Sequence, residues 1–236
     1  MAHNRIFLAG ATGVIGQRLS RLLVADGWHV TGTTRSAEKA SLLRALGVEP
    51  AVVDVFDAQA LQHAMQQARP DIVIHQLTDL PAGLDPEKMA EGRIRNERIR
   101  DLGTRHLIAA ALACGVTRMV VQSIAFAYAD GPRPYTESSP LGRASIAAFE
   151  QQVLDADLIG IVLRYGALYG AGTGFDTPVG EGAVHVDAAA QAACLAVKQG
   201  SAGIYNIAED DGMISSAKAI TDLGWSAEFR MDSSQN

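Results

Sequence analysis

Near its start the chain reads Ile6-Phe7-Leu8-Ala9-Gly10-Ala11-Thr12-Gly13-Val14-Ile15-Gly16. An apolar run, Ile6 to Ala9, has the character of a buried parallel strand. Three glycines follow in a G-x-x-G-x-x-G pattern. Val14 to Ala25 then carries apolar residues at helical spacing: Val14, Ile15, Leu19, Leu22 and Leu23. Strand, glycine turn and helix in that order form the context of a dinucleotide-binding turn. Gly10 suits the tight turn, Gly13 lets backbone approach a pyrophosphate, and Gly16 lets helix pack closely on strand. The amides that open the helix then face the phosphates with the positive end of the dipole. Thr12, Val14 and Ile15 complete the predicted cofactor contacts of this turn.

The rest of the chain alternates in the same way. Strands are expected at His29–Thr33, Pro50–Val53, Asp71–His75, Thr117–Ser123, Ile159–Leu163 and Gly203–Ile207. Ser36 is expected to cap a helix that runs to about Leu46 and stops at Gly47. Asp57 caps another over Ala58–Ala68, which Pro70 ends. Asp79 to Gly92 reads as an irregular loop, and Arg93 to Leu112 as one long helix stopped by Gly115. Regular alternation predicts an α/β, doubly wound parallel sheet, and one NAD(P)-binding domain over 1–236. The tail, Met231 to Asn236, is expected to fray.

Ligands in such sheets sit outside the carboxyl ends of the strands. That places Arg35 beside the adenosine ribose, where an acidic residue would favour NAD and an arginine can hold a 2′-phosphate. The expected cofactor is therefore NADP, with NAD possible. Asp54 and Val55 follow the third strand and His75, Gln76, Leu77 and Thr78 the fourth; all are candidates to line the cofactor. A histidine that ends a buried strand can equally be a hydrogen-bonded core residue.

Composition narrows the partners. With 236 residues, a formal net charge of −6 and no long basic run, nucleic acid is not the expected partner. No apolar stretch reaches membrane-spanning length, and the first residues lead straight into a strand, so neither membrane nor leader is expected. The expected location is cytoplasmic. Cys114 and Cys194 lie in apolar helical stretches and read as reduced, buried thiols. No metal-ligand cluster is visible.

Several matches in order now join the glycine turn: Asp54, Ile74-His75, Gly103-Thr104, Gln122-Ser123 through Tyr128, Arg164-Tyr165, Tyr169-Gly170, His185-Val186-Asp187 and Tyr205-Asn206. Over about Ile6 to Ile220 the chain resembles the short-chain dehydrogenase/reductase superfamily, in its extended branch of NAD(P)-dependent epimerases and dehydratases. The resemblance implies a Rossmann fold with a C-terminal substrate cap. Here the cap is short, drawn from about 166–185 and 208–236. Family chemistry rests on a tyrosine with a lysine four residues later, and no tyrosine of this chain has one. Aligned on Glu150, the lysine slot falls on Ile146 and the tyrosine slot on Gly142. The family's asparagine falls on Arg100 and its active serine on Ile124, one residue past Ser123. Ser123, Tyr128 and Arg164 are the candidate catalytic residues, Arg164 being the cation that could make the Tyr128 phenol a better acid. Three functions remain open: an atypical NAD(P)-dependent oxidoreductase acting on a small molecule, a dinucleotide-holding redox sensor without turnover, and an epimerase or dehydratase using other residues. A homodimer is possible.

Overall fold

The computed structural model describes residues 4–232. Expectations for Met1 to His3 and for the last four residues of the tail lie outside the described residues.

The elements are β1 (Arg5–Ala9), α1 (Val14–Ala25), β2 (His29–Thr34), α2 (Ala40–Ala45), β3 (Glu49–Val52), α3 (Ala58–Ala68) and β4 (Ile72–His75). Then come α4 (Met89–Arg98), a π-helical turn (Ile99–Gly103), α5 (Thr104–Ala113), β5 (Arg118–Ile124) and α6 (Ala144–Leu154). The chain continues with β6 (Ile159–Tyr165), β7 (Ala167–Tyr169), β8 (Ala183–His185), α7 (Val186–Lys198), β9 (Gly203–Ile207) and α8 (Ala217–Leu223).

Seven strands form one sheet in the order β3-β2-β1-β4-β5-β6-β9, and every pairing in it is parallel. The order reverses between β1 and β4, where Ala9 pairs with His75. That reversal opens a crevice at the carboxyl ends of the strands, the binding position of this architecture. The sheet is buried on both faces, which is why the middle stretches of its central strands, such as Ile6–Ala9, Ile72–Ile74, Met119–Val121 and Ile161–Leu163, are apolar. Ile6, Leu8, Ile74, Val120 and Leu163 face Leu19 and Leu23 of α1 and the alanines of α7. Phe7, Val73, Val121 and Val162 face Leu61 and Met65 of α3, Leu107 of α5, and Phe149 and Val153 of α6. Six buried alanines, Ala188, Ala189, Ala190, Ala192, Ala193 and Ala196, let α7 lie close against the sheet and α1.

Some boundaries differ from expectation. Ser36 caps no helix: the Thr34 hydroxyl accepts from its N–H at 3.1 Å, holding a turn, and α2 starts later, at Ala40. Asp57 does cap α3, accepting from the Ala60 N–H at 2.9 Å. The third strand sits one residue earlier, and α4 begins inside the segment expected to be irregular. The single long helix is instead two helices joined by the π turn. Two short strands, β7 and β8, pair parallel outside the main sheet; three residues each leave too little periodicity to read. Cys114 and Cys194 are free and only partly buried. Among the described residues, no helix is long and apolar enough to cross a membrane, and no group of His, Cys, Asp and Glu is placed to hold a metal ion.

Candidate active site

The glycine turn is built as its spacing requires. Gly10 has φ +90°, and a Cβ there would stand 2.7 Å from the Gln76 carbonyl. At Gly16 a Cβ would collide with the Gly10 carbonyl oxygen. Gly13 differs from both: its φ is −75°, and a Cβ would meet only the Gly10 oxygen, at 3.3 Å. Helix α1 has no capping side chain and no acidic residue in its first turn. Its opening amides, Val14, Ile15 and Gly16, bond to no acceptor among the described residues. Thr12 accepts through its carbonyl from the Gln17 side chain at 3.0 Å, which braces the turn. The Gly10 N–H donates to the Thr33 hydroxyl at 3.2 Å, fixing the turn to β2.

Beyond β2, Arg35 is exposed and reaches Asp79 after β4, with Nη1 and Nη2 at 3.3 and 3.5 Å from its two oxygens. Arg95 of α4 approaches the same carboxylate, its Nε at 3.6 Å. Two guanidiniums thus converge on one carboxylate across the crevice. The buried Asn96 side chain accepts from the Asp79 N–H at 3.2 Å and fixes this loop to α4. Asp54 turns back on its own backbone, accepting from the Phe56 N–H at 2.9 Å. Val55 is buried, and its carbonyl meets His106 Nδ1 at 2.9 Å.

At the end of β4 the His75 ring is buried, edge-on to Phe149. Its Nδ1 accepts from the Leu77 N–H at 3.1 Å, so Nε2 carries the hydrogen and donates to the Thr104 hydroxyl at 3.2 Å. Burial first, and the Arg100 charge second, push its pKa down to about 4. His75 is a neutral core residue that touches the crevice through its backbone. Gln76 points to the opposite face of the sheet and donates to the buried Tyr165 hydroxyl at 3.2 Å. Its Oε1 is buried without a partner among the described residues. Burial keeps the Tyr165 phenol well above its ordinary range.

The candidates at the ends of β5 and β6 do come together, but as an interior network. Ser123 and Arg164 are paired across the strands. The Ser123 hydroxyl donates to Glu150 Oε1 at 2.6 Å. Arg164 donates to the same carboxylate from Nε at 2.9 Å and from Nη2 at 2.6 Å. Both members of that ion pair are only 3% exposed. Arg164 Nη1 donates to the Tyr128 hydroxyl at 2.9 Å, which donates onward to Asn206 Oδ1 at 2.6 Å. The half-buried Tyr128 ring stacks on Tyr135, with centroids 5.1 Å apart. Burial outweighs Arg164 and leaves the Tyr128 phenol above its ordinary pKa, so the expected gain in acidity is not realised. Arg164, a candidate catalytic residue, is itself closed off from solvent. A carboxylate on α6 reaches it first, because Glu150 follows Ile146 and Phe149 on the buried face of that helix. Glu150 and Asn206 are the members that sequence reasoning did not assign to the site. A glutamate on an otherwise apolar helical face was the available signal.

The two positions that the resemblance aligns with the family's tyrosine and lysine, Gly142 and Ile146, carry no polar side chain. Ile146 is fully buried, and the Gly142 N–H donates to the Ala127 carbonyl at 2.8 Å, fastening the start of α6 to the loop after β5. Above the crevice two loops meet. Leu84, at φ +56°, lies against Gly174, where a Cβ would come within 2.9 Å of it. Gly172 of the same loop faces Val14 at the start of α1.

A family described as NAD(P)H-binding matches residues 10–190. A 3-diazoavenalumate denitrifying reductase of Streptomyces sp is 38% identical over 240 residues, 88% of this chain and 76% of that protein. A 4-hydroxy-2-methyl-3-oxo-4-farnesyl-3,4-dihydroquinoline-1-oxide ketoreductase of Stigmatella aurantiaca is 31% identical over 71% of this chain. The match spans about half of that relative, 51% of its length. Among solved structures, the UDP-glucose 4-epimerase of Thermus thermophilus in complex with NAD superimposes with a TM-score of 0.77 at 22% identity, over 96% of this chain and 95% of the other.

Proposed function

The chain belongs to the NAD(P)H-binding family, with the fold of the short-chain dehydrogenase/reductase superfamily, and we propose that it is a reductase acting on a small, flat, electrophilic substrate that takes no proton from the protein. The observation that carries this reading is the contrast within the crevice. The groups suited to a dinucleotide are open, while the polar groups at the ends of β5 and β6 are bonded to one another.

The residues present fit the cofactor. Unpaired amides at the start of α1, a helix dipole and a Gly13 whose missing side chain nothing in the protein demands suit a pyrophosphate. Arg35 and Arg95 suit the 2′-phosphate of NADP, and Asp79 occupies that position between them as an internal anion. NADP is therefore the preferred form in this reading. His75, Gln76 and Leu77 line the trough chiefly through backbone. Segments 166–185 and 208–232 form the reduced substrate cap. When bound, the cofactor supplies a hydride. Ser123, Glu150 and Arg164 act as positioning residues that keep the ends of β5 and β6 in register, and Tyr128 closes the wall beside them. The Ser123 and Tyr128 hydroxyls donate to Glu150 and Asn206 rather than toward a developing alkoxide, which disfavours ordinary ketone reduction.

Diazo arenes meet that restriction. An arenediazonium ion plus a hydride gives the arene and dinitrogen, with no proton drawn from the protein. The name of the Streptomyces relative describes a reductase of a diazo compound. The test is a substrate panel of an arenediazonium salt, a quinone and a secondary ketone, each mixed with protein and NADPH. Loss of the reduced-nicotinamide absorbance should be fastest, relative to protein-free controls, with the diazonium salt. Turnover of the simple ketone alone would contradict the reading, and binding without any turnover would favour the sensor.

A further inference from the structure

At the amino end of the sheet, opposite the crevice, a cavity of about 380 Å³ opens among the starts of β1, β2 and β3. Small-molecule sites span about 300–1,000 Å³. Arg5, Trp28, Val30, Arg44, Val48 and Glu49 are among its lining residues. The dinucleotide turn lies at the far end of β1, about 17 Å from Arg5 at the rise of a strand. Donors around this cavity lack acceptors among the described residues. Trp28 is 9% exposed, and its Nε1 is buried with no hydrogen-bond partner. The other indole of the chain shows the ordinary arrangement, Trp225 Nε1 donating to the Ala188 carbonyl at 2.9 Å. Buried polar groups are nearly always bonded, so an orphan donor on a residue that lines a cavity calls for an acceptor there. Arg5 spends its Nε on the Ala68 carbonyl at 2.6 Å and leaves both Nη groups over. Arg44, in the last turn of α2, is exposed and pairs with no described residue. Glu49 forms an ion pair with neither arginine.

We propose that this cavity is a second ligand site, away from the cofactor crevice, and that it takes a hydroxylated aromatic carboxylic acid. A carboxylate suits the unspent guanidinium donors of Arg5 and Arg44, which present paired N–H groups, and it gives Trp28 Nε1 an acceptor. The indole, Val30 and Val48 offer a flat ring an apolar wall. Glu49 accepts from a ring hydroxyl, and its charge opposes the second charge of a phosphate. The site stands independently of the reductase reading.

The test follows the indole N–H signals of the full, nitrogen-15-labelled chain by nuclear magnetic resonance. The chain has two tryptophans, so two such signals arise, and Trp28→Phe identifies the one from Trp28. Titration with 4-hydroxybenzoate should move the Trp28 signal saturably and leave the Trp225 signal in place. The matching amide should bind about tenfold or more weakly, as loss of a charge-assisted pair implies. Arg44→Gln, at an exposed position, should weaken the acid by about tenfold while the unfolding midpoint stays unchanged. Saturating NADPH should leave the affinity for the acid within about twofold, because the two sites lie at opposite ends of the strands. The proposal is overturned if the acid leaves the Trp28 signal unmoved, if acid and amide bind alike, if inorganic phosphate binds as tightly as the acid, or if Arg44→Gln changes nothing. Displacement of the acid by NADPH would put it in the crevice and overturn the proposal too. Titration without NADPH reads the cavity whether or not the reductase reading holds.

Discussion

At the start of α1 the backbone donors of the first turn meet, among the described residues, no partner and no acidic side chain. At the ends of β5 and β6, by contrast, Ser123, Glu150, Arg164, Tyr128 and Asn206 satisfy one another in one buried chain of bonds. Both regions lie on the same edge of one sheet, and both hold residues typical of function. Their use of polar groups is opposite. Donors left open are available to a ligand, whereas donors consumed internally stabilise the frame and are slow to exchange partners. The same resemblance therefore reads differently at the two places: on the proposed reading, the first binds the cofactor and the second serves the frame rather than proton transfer.

The largest expected effect lies in the closed region. Glu150→Ala leaves the Arg164 charge buried without its partner, and such losses cost about 3–5 kcal/mol. Urea unfolding should show a midpoint far below the unmodified chain; a shift within error would mean the network is not closed in solution.

Next comes pH. The His75 pKa is near 4 in the fold against an ordinary value of 6.5. The unfolded chain therefore binds the extra proton first as pH falls. The stability contributed by the neutral ring is complete above the ordinary value and is lost between there and the folded value, on the order of 3 kcal/mol in all. Unfolding free energies measured from neutral pH downward should fall accordingly, and His75→Gln should flatten that slope.

In the open region the effects should fall on binding instead. Gly13→Val should weaken NADPH by about hundredfold or more, roughly 2.7 kcal/mol, while the fold stays intact, because a Cβ at this position meets only the Gly10 oxygen, at 3.3 Å. Gly16→Val should fail to fold. Two glycines of one motif would thus separate ligand contact from packing, and equal behaviour of the two would break the distinction. Smaller still, Arg35→Ala should cost NADPH about tenfold and NADH little. Asp79→Asn, which removes the competing anion, should strengthen NADPH by about two- to fivefold.

How legible each region was follows from the range of its interactions. The glycine turn, most strands and the Asp57 cap are written over a few neighbouring residues, and each stands within a residue or two of expectation. Asn206 and Tyr128 bond across 78 positions, and Glu150 meets Arg164 across 14. No local pattern carries those pairings. Tyr128 and Arg164 were placed together by the fold's order of strands, yet which partner would claim Arg164 depended on a glutamate on another element. The π turn escaped notice because one extra residue barely alters helical spacing, so Arg93 to Leu112 kept the pattern of a single helix. Ser36 misled because Thr34, two residues earlier, competes for its N–H.

The central claim is that the chain binds NADPH at the open turn and passes hydride without a protein acid. It is tested most directly by following deuterium from 4-deuterated NADPH into the arene formed from an arenediazonium salt, using the unmodified chain, Gly13→Val and Tyr128→Phe. Deuterium should reach the arene with the unmodified chain and, within about threefold in rate, with Tyr128→Phe, but not above background with Gly13→Val. A loss of about hundredfold or more in Tyr128→Phe with NADPH affinity unchanged would make that phenol the acid and contradict the claim.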